Sequence, residues 1–203
     1  MLSSIVDLVA PRRCAGCGAG GLRLCPTCAA ALSSHDPPLP AGLDRARSAL
    51  RYEGAARGLI LSLKLRGDRS AADPLVEALV ALAQGRGVRA EVVTWVPGRR
   101  REQRVRGFDH AEVLARGLAG ALGLPCSALL ERVAERPDQA SLGAAQRRSN
   151  LRGAFQARSA AGAVLLVDDL LTTGATASAC AEALRASRAS FVEAMTACHS
   201  ERG

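Results

Sequence analysis

The sequence predicts an α/β protein: a mostly parallel sheet flanked by helices, behind a small N-terminal module built on four cysteines. Three observations point there. From Glu91 to Ala197, short apolar runs alternate with stretches in which Ala and Leu recur every three or four residues, the pattern of strand–helix units. Within that alternation, Val164-Leu165-Leu166-Val167 runs into two acids and then a small, hydroxyl-rich turn. Ahead of it, Cys14-Ala-Gly-Cys17 and Cys25-Pro-Thr-Cys28 form two close C-x-x-C pairs.

Taken in order, Met1–Ala10 has a short apolar face interrupted by Asp7 and no basic leader, which reads as an amphipathic helix and not a signal peptide. Seven residues separate the two cysteine pairs, three of them glycine. Each pair can bend back and offer two thiolates to one ion, and the flexible connector lets the second pair complete a tetrahedron. That spacing favours structural zinc on Cys14, Cys17, Cys25 and Cys28 over a redox pair or four unrelated thiols. A closed four-sulfur site has no open position and is assigned no catalysis. His35-Asp-Pro-Pro-Leu-Pro40 is a proline-rich spacer, dividing a module over residues 1–40 from a main domain over 41–203. His35 itself reads as a linker residue, or as an accessory ligand where four cysteines already suffice.

The main domain is expected to open on a strand over Ala46–Tyr52 and a helix over Glu53–Leu65, with Ala56, Leu59, Ile60 and Leu63 on one face. A second helix covers Ala71–Ala83, ended by Gly85 and Gly87. Glu91–Val96 is a strand stopped by Pro97-Gly98. The densest basic segment follows, Arg99, Arg100, Arg101, Arg104 and Arg106, closed by Gly107. It reads as a loop at a strand's carboxyl end, suited to a diphosphate or to nucleic acid. Phe108–Leu122 is a helix and Leu129–Val133 a short strand. Arg136–Asn150 has little core pattern and reads as a lid. Gly153–Gln156, Ala163–Val167 and Phe191–Ala197 complete the strands. In a parallel sheet, the basic loop and the acid–hydroxyl turn both lie beyond the carboxyl ends, where open α/β sheets bind ligands.

Composition narrows the function classes. The 203 residues are 48% hydrophobic but 2% aromatic, so the core is aliphatic and an aromatic platform for stacking bases is disfavoured. A net charge of +8 favours anionic partners without choosing among them. Of seven cysteines, four crowd between Cys14 and Cys28, which argues against a secreted disulfide framework. No apolar run is long enough for a membrane span. A reducing cytoplasm is the expected location.

The central turn carries the chemistry. Small residues over Thr172–Thr176 let the backbone approach an anion, and the N–H groups of the helix that follows favour a phosphate. Thr172, Thr173 and Thr176 add hydroxyl donors. Asp168 and Asp169 would repel that phosphate, but they suit hydroxyl groups a few ångströms away, or a metal. A phosphate beside vicinal hydroxyls describes a 5-phosphorylated ribose. The turn lacks the G-K-[ST] of a Walker loop.

The whole run, apolar strand, Asp168-Asp169, two apolar residues and Thr172-Thr173-Gly174-Ala175-Thr176, resembles the phosphoribosyl-diphosphate (PRPP) motif of type I phosphoribosyltransferases. The double C-x-x-C, Tyr52-Glu-Gly54, Leu63-Lys64, Arg106-Gly-Phe-Asp109, Gln139 and Arg148–Phe155 resemble the ComF family, which includes ComFC competence proteins and GntX-like proteins. The resemblance runs from Cys14 to about Ala197. It implies a type I phosphoribosyltransferase fold behind a zinc finger. Asp168 and Asp169 would face the ribose hydroxyls, directly or through Mg²⁺, as the catalytic acids, and Thr172–Thr176 would hold the 5-phosphate. Arg99, Arg100, Arg104, Arg106 and Gly107 would correspond to the diphosphate loop. Gln139, Arg147 and Arg148 would belong to a mobile loop over the site. Family members also imply single-stranded DNA and the DNA-uptake machinery as partners. The chain departs from the family's R-G-F-N-Q-A at Asp109 and at His110, which stands where Gln is common.

Overall fold

The computed structural model describes residues 13–133 and 153–201. The helix expected over Met1–Ala10 and the expected lid, with Gln139, Arg147 and Arg148, lie outside the described residues.

A short helix α1 (Pro26–Ala30) belongs to the cysteine module. Then come β1 (Arg45–Arg51), α2 (Gly54–Leu65), a 3₁₀ turn (Arg69–Ala71), α3 (Ala72–Arg86), β2 (Val92–Trp95), α4 (Arg100–Arg106) and α5 (His110–Leu122). The chain continues through β3 (Leu130–Arg132), β4 (Phe155–Ala157), β5 (Gly162–Leu171), α6 (Ala175–Ala186) and β6 (Ala189–His199). β1, β6, β5 and β2 form one sheet in that order, every neighbour parallel. β3 and β4 make a separate antiparallel pair. The mostly parallel α/β architecture expected from the sequence is what the chain forms.

Alternation along β5 builds two cores. Leu165 and Val167 pack with Leu59, Ile60, Leu63, Leu75, Leu79, Leu114 and Leu118 under α2, α3 and α5. Val164 and Leu166 pack with Phe155, Cys180, Leu184 and Val192 under α6 and the hairpin. Both sides are mostly aliphatic, with Trp95 in one and Phe155 in the other. α3 and α5 approach closely because position 117 is glycine; a Cβ there would lie 2.8 Å from Val76.

Two expectations are corrected. The segment after Pro97-Gly98 is a helix over Arg100–Arg106 and not an open loop. It ends at Gly107, whose left-handed φ of 77° closes the turn. β5 also runs four residues further than Ala163–Val167, to Leu171, so the two acids lie inside the strand and not beyond it. Backbone pairing with β6 continues through Asp168↔Thr196 to Leu171↔His199, which holds the acids in extended geometry.

Candidate functional site

Because β2 and β5 are parallel neighbours, their carboxyl ends open on the same edge. After Leu171, the chain turns through Thr172, Thr173 and Gly174 into α6. Gly174 sits at φ 74° as the helix N-cap, a conformation that suits glycine. A Cβ there would also lie 2.7 Å from the ring of Pro40. The proline-rich segment thus lies directly against the turn. Thr173 Oγ1 accepts from the Ala175 N–H at 3.4 Å. Thr172 is exposed, Thr173 and Thr176 are half-buried, and Gly174 and Ala175 are buried. A cavity of about 330 Å³ borders Thr172, Thr173 and Gly174 on one side and His35, Pro38, Leu39, His199 and Glu201 on the other. His35 is therefore not a free linker residue: its ring stacks on His199 at 6.0 Å.

The acids differ sharply. Asp169 is 2% exposed; its Oδ1 lies 2.9 Å from Lys64 Nζ, at the end of α2. Its Oδ2 lies 2.8 Å from His110 Nε2, at the start of α5. Burial works to raise the Asp169 pKa, but His110 and Lys64 outweigh it and hold the carboxyl below its ordinary range. Burial likewise opposes the charged forms of His110 and Lys64, and Asp169 keeps both pKa values above their ordinary ones. Asp168 is half-buried, and its Oδ1 accepts from the Asp169 N–H at 2.8 Å. Burial first, and the neighbouring Asp169 charge second, push Asp168 up to about 7.

Asp109 shapes the β2 side. It N-caps α5 by accepting from Ala111 N at 3.0 Å. Its other oxygen accepts from Gly98 N at 2.9 Å and Gln103 Nε2 at 2.5 Å. One carboxylate therefore ties the Pro97-Gly98 turn to two helices. The basic residues disperse from there. Arg106 donates to the Lys64 carbonyl at 3.1 Å and pairs with Glu102. Arg100 pairs with Glu131 at 2.5 Å, while Arg101 and Arg104 are exposed. Arg99 is half-buried where the turn meets α4.

Arg132 was not singled out by sequence reasoning. It donates to the Pro97 carbonyl at 3.3 Å, and its guanidinium lies 4.6 Å over the Phe155 ring. Burial lowers its pKa. Asp109 is legible as part of the Arg106-Gly-Phe-Asp109 motif but its hold on Gly98, 11 residues away, is not, and Arg132 carries no sequence signal beyond residue type, since its partner lies 35 residues away.

One ligand atom each of His110, Asp168 and Asp169 falls within 4.8 Å of the others. Asp169 Oδ1 is already paired with Lys64 and the side chain is 2% exposed, so little of its carboxylate is open to a divalent ion. Asp168 fits the usual Mg²⁺ pattern of one or two carboxylates completed by phosphate oxygens.

At the other end of the chain, the Sγ atoms of Cys14, Cys17, Cys25 and Cys28 lie within 4.8 Å of one another. Cys17 and Cys25 are 3.7 Å apart. A tetrahedron with bonds of about 2.3 Å has edges of about 3.8 Å, so the spacing fits a four-sulfur metal site. Burial opposes the Cys14 thiolate, but backbone N–H groups of Cys17, Cys25 and Gly16 win and lower it to about 6. Cys28, hydrogen-bonded to the neighbouring thiol groups, is pushed up to about 12. Crowded thiolates that must share protons are relieved by a bound dication.

No protein-family model and no curated protein matches the sequence. Among solved structures, the chain is similar to the glutamine phosphoribosylpyrophosphate (PRPP) amidotransferase from B. subtilis complexed with ADP and GMP. The two share 26% identity over 63% of this chain, with a TM-score of 0.44, and the match spans 26% of that protein's length. Orotate phosphoribosyltransferase from Aeropyrum pernix aligns at 21% identity over 83% of this chain and 75% of its own, TM-score 0.39. Adenine phosphoribosyltransferase from Leishmania tarentolae aligns at 15% identity over 70% and 75%, TM-score 0.41. Overlaps of this extent assign neither ligand nor reaction.

Proposed function

We propose that this chain binds PRPP with Mg²⁺ as a type I phosphoribosyltransferase-like protein of the ComF kind. The observation that supports this best is the local geometry of β5 and α6. An acid of β5 and the hydroxyl-lined N-terminal turn of a 12-residue helix share one edge of the sheet.

In this reading the backbone and hydroxyls of Thr172, Thr173, Gly174, Ala175 and Thr176 hold the 5-phosphate, at the positive end of α6. Asp168, the less buried acid of β5, stands beside the ribose. Bound Mg²⁺ would neutralise diphosphate oxygens, with Asp168 as its protein ligand. On the β2 side, the Gly98–Arg99 turn and Arg132 supply donors and positive charge for the diphosphate. Transfer breaks the C1–O bond, and the diphosphate takes the electron pair. An acceptor lone pair forms the new bond on the opposite face of C1. The chain's contribution is positioning and charge stabilisation. The four cysteines hold zinc as a structural ion.

Isothermal titration with PRPP and Mg²⁺ tests the reading. Saturable binding that weakens at least tenfold in D168N supports it. A folded, zinc-loaded protein that takes up no heat from PRPP sinks it.

A second reading, single-stranded DNA binding in uptake in the cytoplasm, is favoured by exposed Arg101 and Arg104. They line an open cleft of about 670 Å³ with Arg132. In that case R101A/R104A reduces the salt slope of single-stranded DNA affinity by about 1.4.

A further inference from the structure

The two acids of β5 do not share one task. Strand alternation sends neighbouring side chains to opposite faces. Asp169 follows Leu165 and Val167 to the side covered by α2 and α5. There Lys64 Nζ lies 2.9 Å from its Oδ1 and His110 Nε2 lies 2.8 Å from its Oδ2, with 2% of the side chain exposed; the His110 contact is close but not aligned as a hydrogen bond. With so little of its side chain exposed, this carboxylate presents no open face to a ribose hydroxyl or a metal. Asp168 forms no ion pair with a described residue and is half-buried at the site edge.

We propose that Asp169 is a positioning residue, the hub of a buried Lys64–Asp169–His110 clamp that fixes the ends of α2 and α5 to β5 and leaves Asp168 as the ligand-facing acid. The inference rests on the PRPP reading above and divides the labour within it.

Three features support the clamp. Lys64 lies in the last turn of α2, and its carbonyl accepts from Arg106 of α4 at 3.1 Å, so the same residue ties the basic helix to the hub. His110 directly follows Asp109, which holds the Gly98 turn at 2.9 Å; moving α5 would move that turn. Lys64 keeps 29% of its side chain exposed. An ammonium has three donors, so a Lys64 held by Asp169 still presents N–H groups to a bound anion. The clamp thus makes the position of Lys64, the Gly98 turn and β5 interdependent.

Two measurements decide it. In urea unfolding without ligand, double-mutant cycles pair D169N with K64M and D169N with H110L. Non-additivity of about tenfold in the unfolding constant is expected for each pair; additive cycles overturn the clamp. In PRPP titrations on folded variants, D168N abolishes binding. D169N and H110L weaken it tenfold or more, while H110Q, which keeps one N–H donor toward Asp169, restores it to within about threefold of wild type.

D169N failing as completely as D168N, with H110L and K64M binding like wild type, would mean that Asp169 touches the ligand directly, and the division of labour falls. If wild type binds no PRPP, the functional reading fails first. The unfolding cycles still show whether the hub exists, and its role in presenting Asp168 to this ligand is then rejected.

Discussion

Asp168 carries an internal tension that its sequence position conceals. Its ordinary pKa is 3.8, and burial with the Asp169 charge beside it raises this to about 7. A carboxyl with a raised folded-state pKa binds more protons folded than unfolded, so it costs stability as pH rises from about 4 to 7. Below 3.8 the cost vanishes; above 7 it is fully present. D168N should therefore melt higher than wild type at pH 8, by a few degrees at about 2–4 °C per kcal/mol. The gap should shrink as pH falls to 5. Scanning calorimetry of both proteins at these two pH values checks it, and a gap that is constant with pH refutes the assignment. Retention of a destabilising acid at the site edge is the expected cost of a charge kept for a ligand. Asp169 shows the opposite case, a buried charge whose burial is offset by two partners.

Among the elements, α2 joins the cysteine module to the site. A Cβ on Gly58 would lie 2.2 Å from the Ala15 carbonyl oxygen, a backbone atom that cannot swing away. Ordinarily Gly→Ala in a helix gains about 1 kcal/mol. Here the overlap costs about 1–3 kcal/mol, as overpacking does, so G58A should lower the melting temperature. Gly120 of α5 has open space around its Cβ position, and G120A should raise stability by up to about 1 kcal/mol. Denaturant unfolding of the two variants decides whether module docking or helix propensity dominates α2. α6 shows the same logic at its start: Gly174 is required both by φ 74° and by Pro40 lying against it.

At the scale of the whole molecule, the cysteine module packs into the domain. Ala15, Leu24 and Leu32 pack against the core beneath α2 and α3. Arg23 pairs with Asp68 at 2.8 Å and donates to Ser70 at 2.7 Å. Loss of an ion from the four cysteines should therefore loosen the α2 side of the main domain and not the knuckles alone. The protein as purified should carry one equivalent of zinc by elemental analysis. Strong chelation should lower the melting temperature and raise hydrogen exchange in α2 before it does so in α6. Exchange that changes only over residues 13–30 would show that the module is energetically separate. Among the described residues, no helix is long and apolar enough to cross a membrane.

The chain by itself determined the layered α/β architecture, the cysteine cluster, and the place of the acid–hydroxyl turn at the carboxyl edge of the parallel sheet. Those features rest on local periodicity, short-range spacing and the direction of parallel strands, all of which are written in contiguous residues. Only the tertiary structure decided how the acids divide. Asp169 meets Lys64 from 105 positions earlier and His110 from 59, and no local pattern encodes such encounters. It also turned the expected basic loop into α4, because Arg106 finds the end of α2 and Gln103 finds Asp109. His35 reads as a linker residue in the sequence because its stacking partner His199 lies at the far end of the chain. Local sequence specifies which elements form. Side-chain partners are settled when packing brings distant charges into a space too dry to leave them alone.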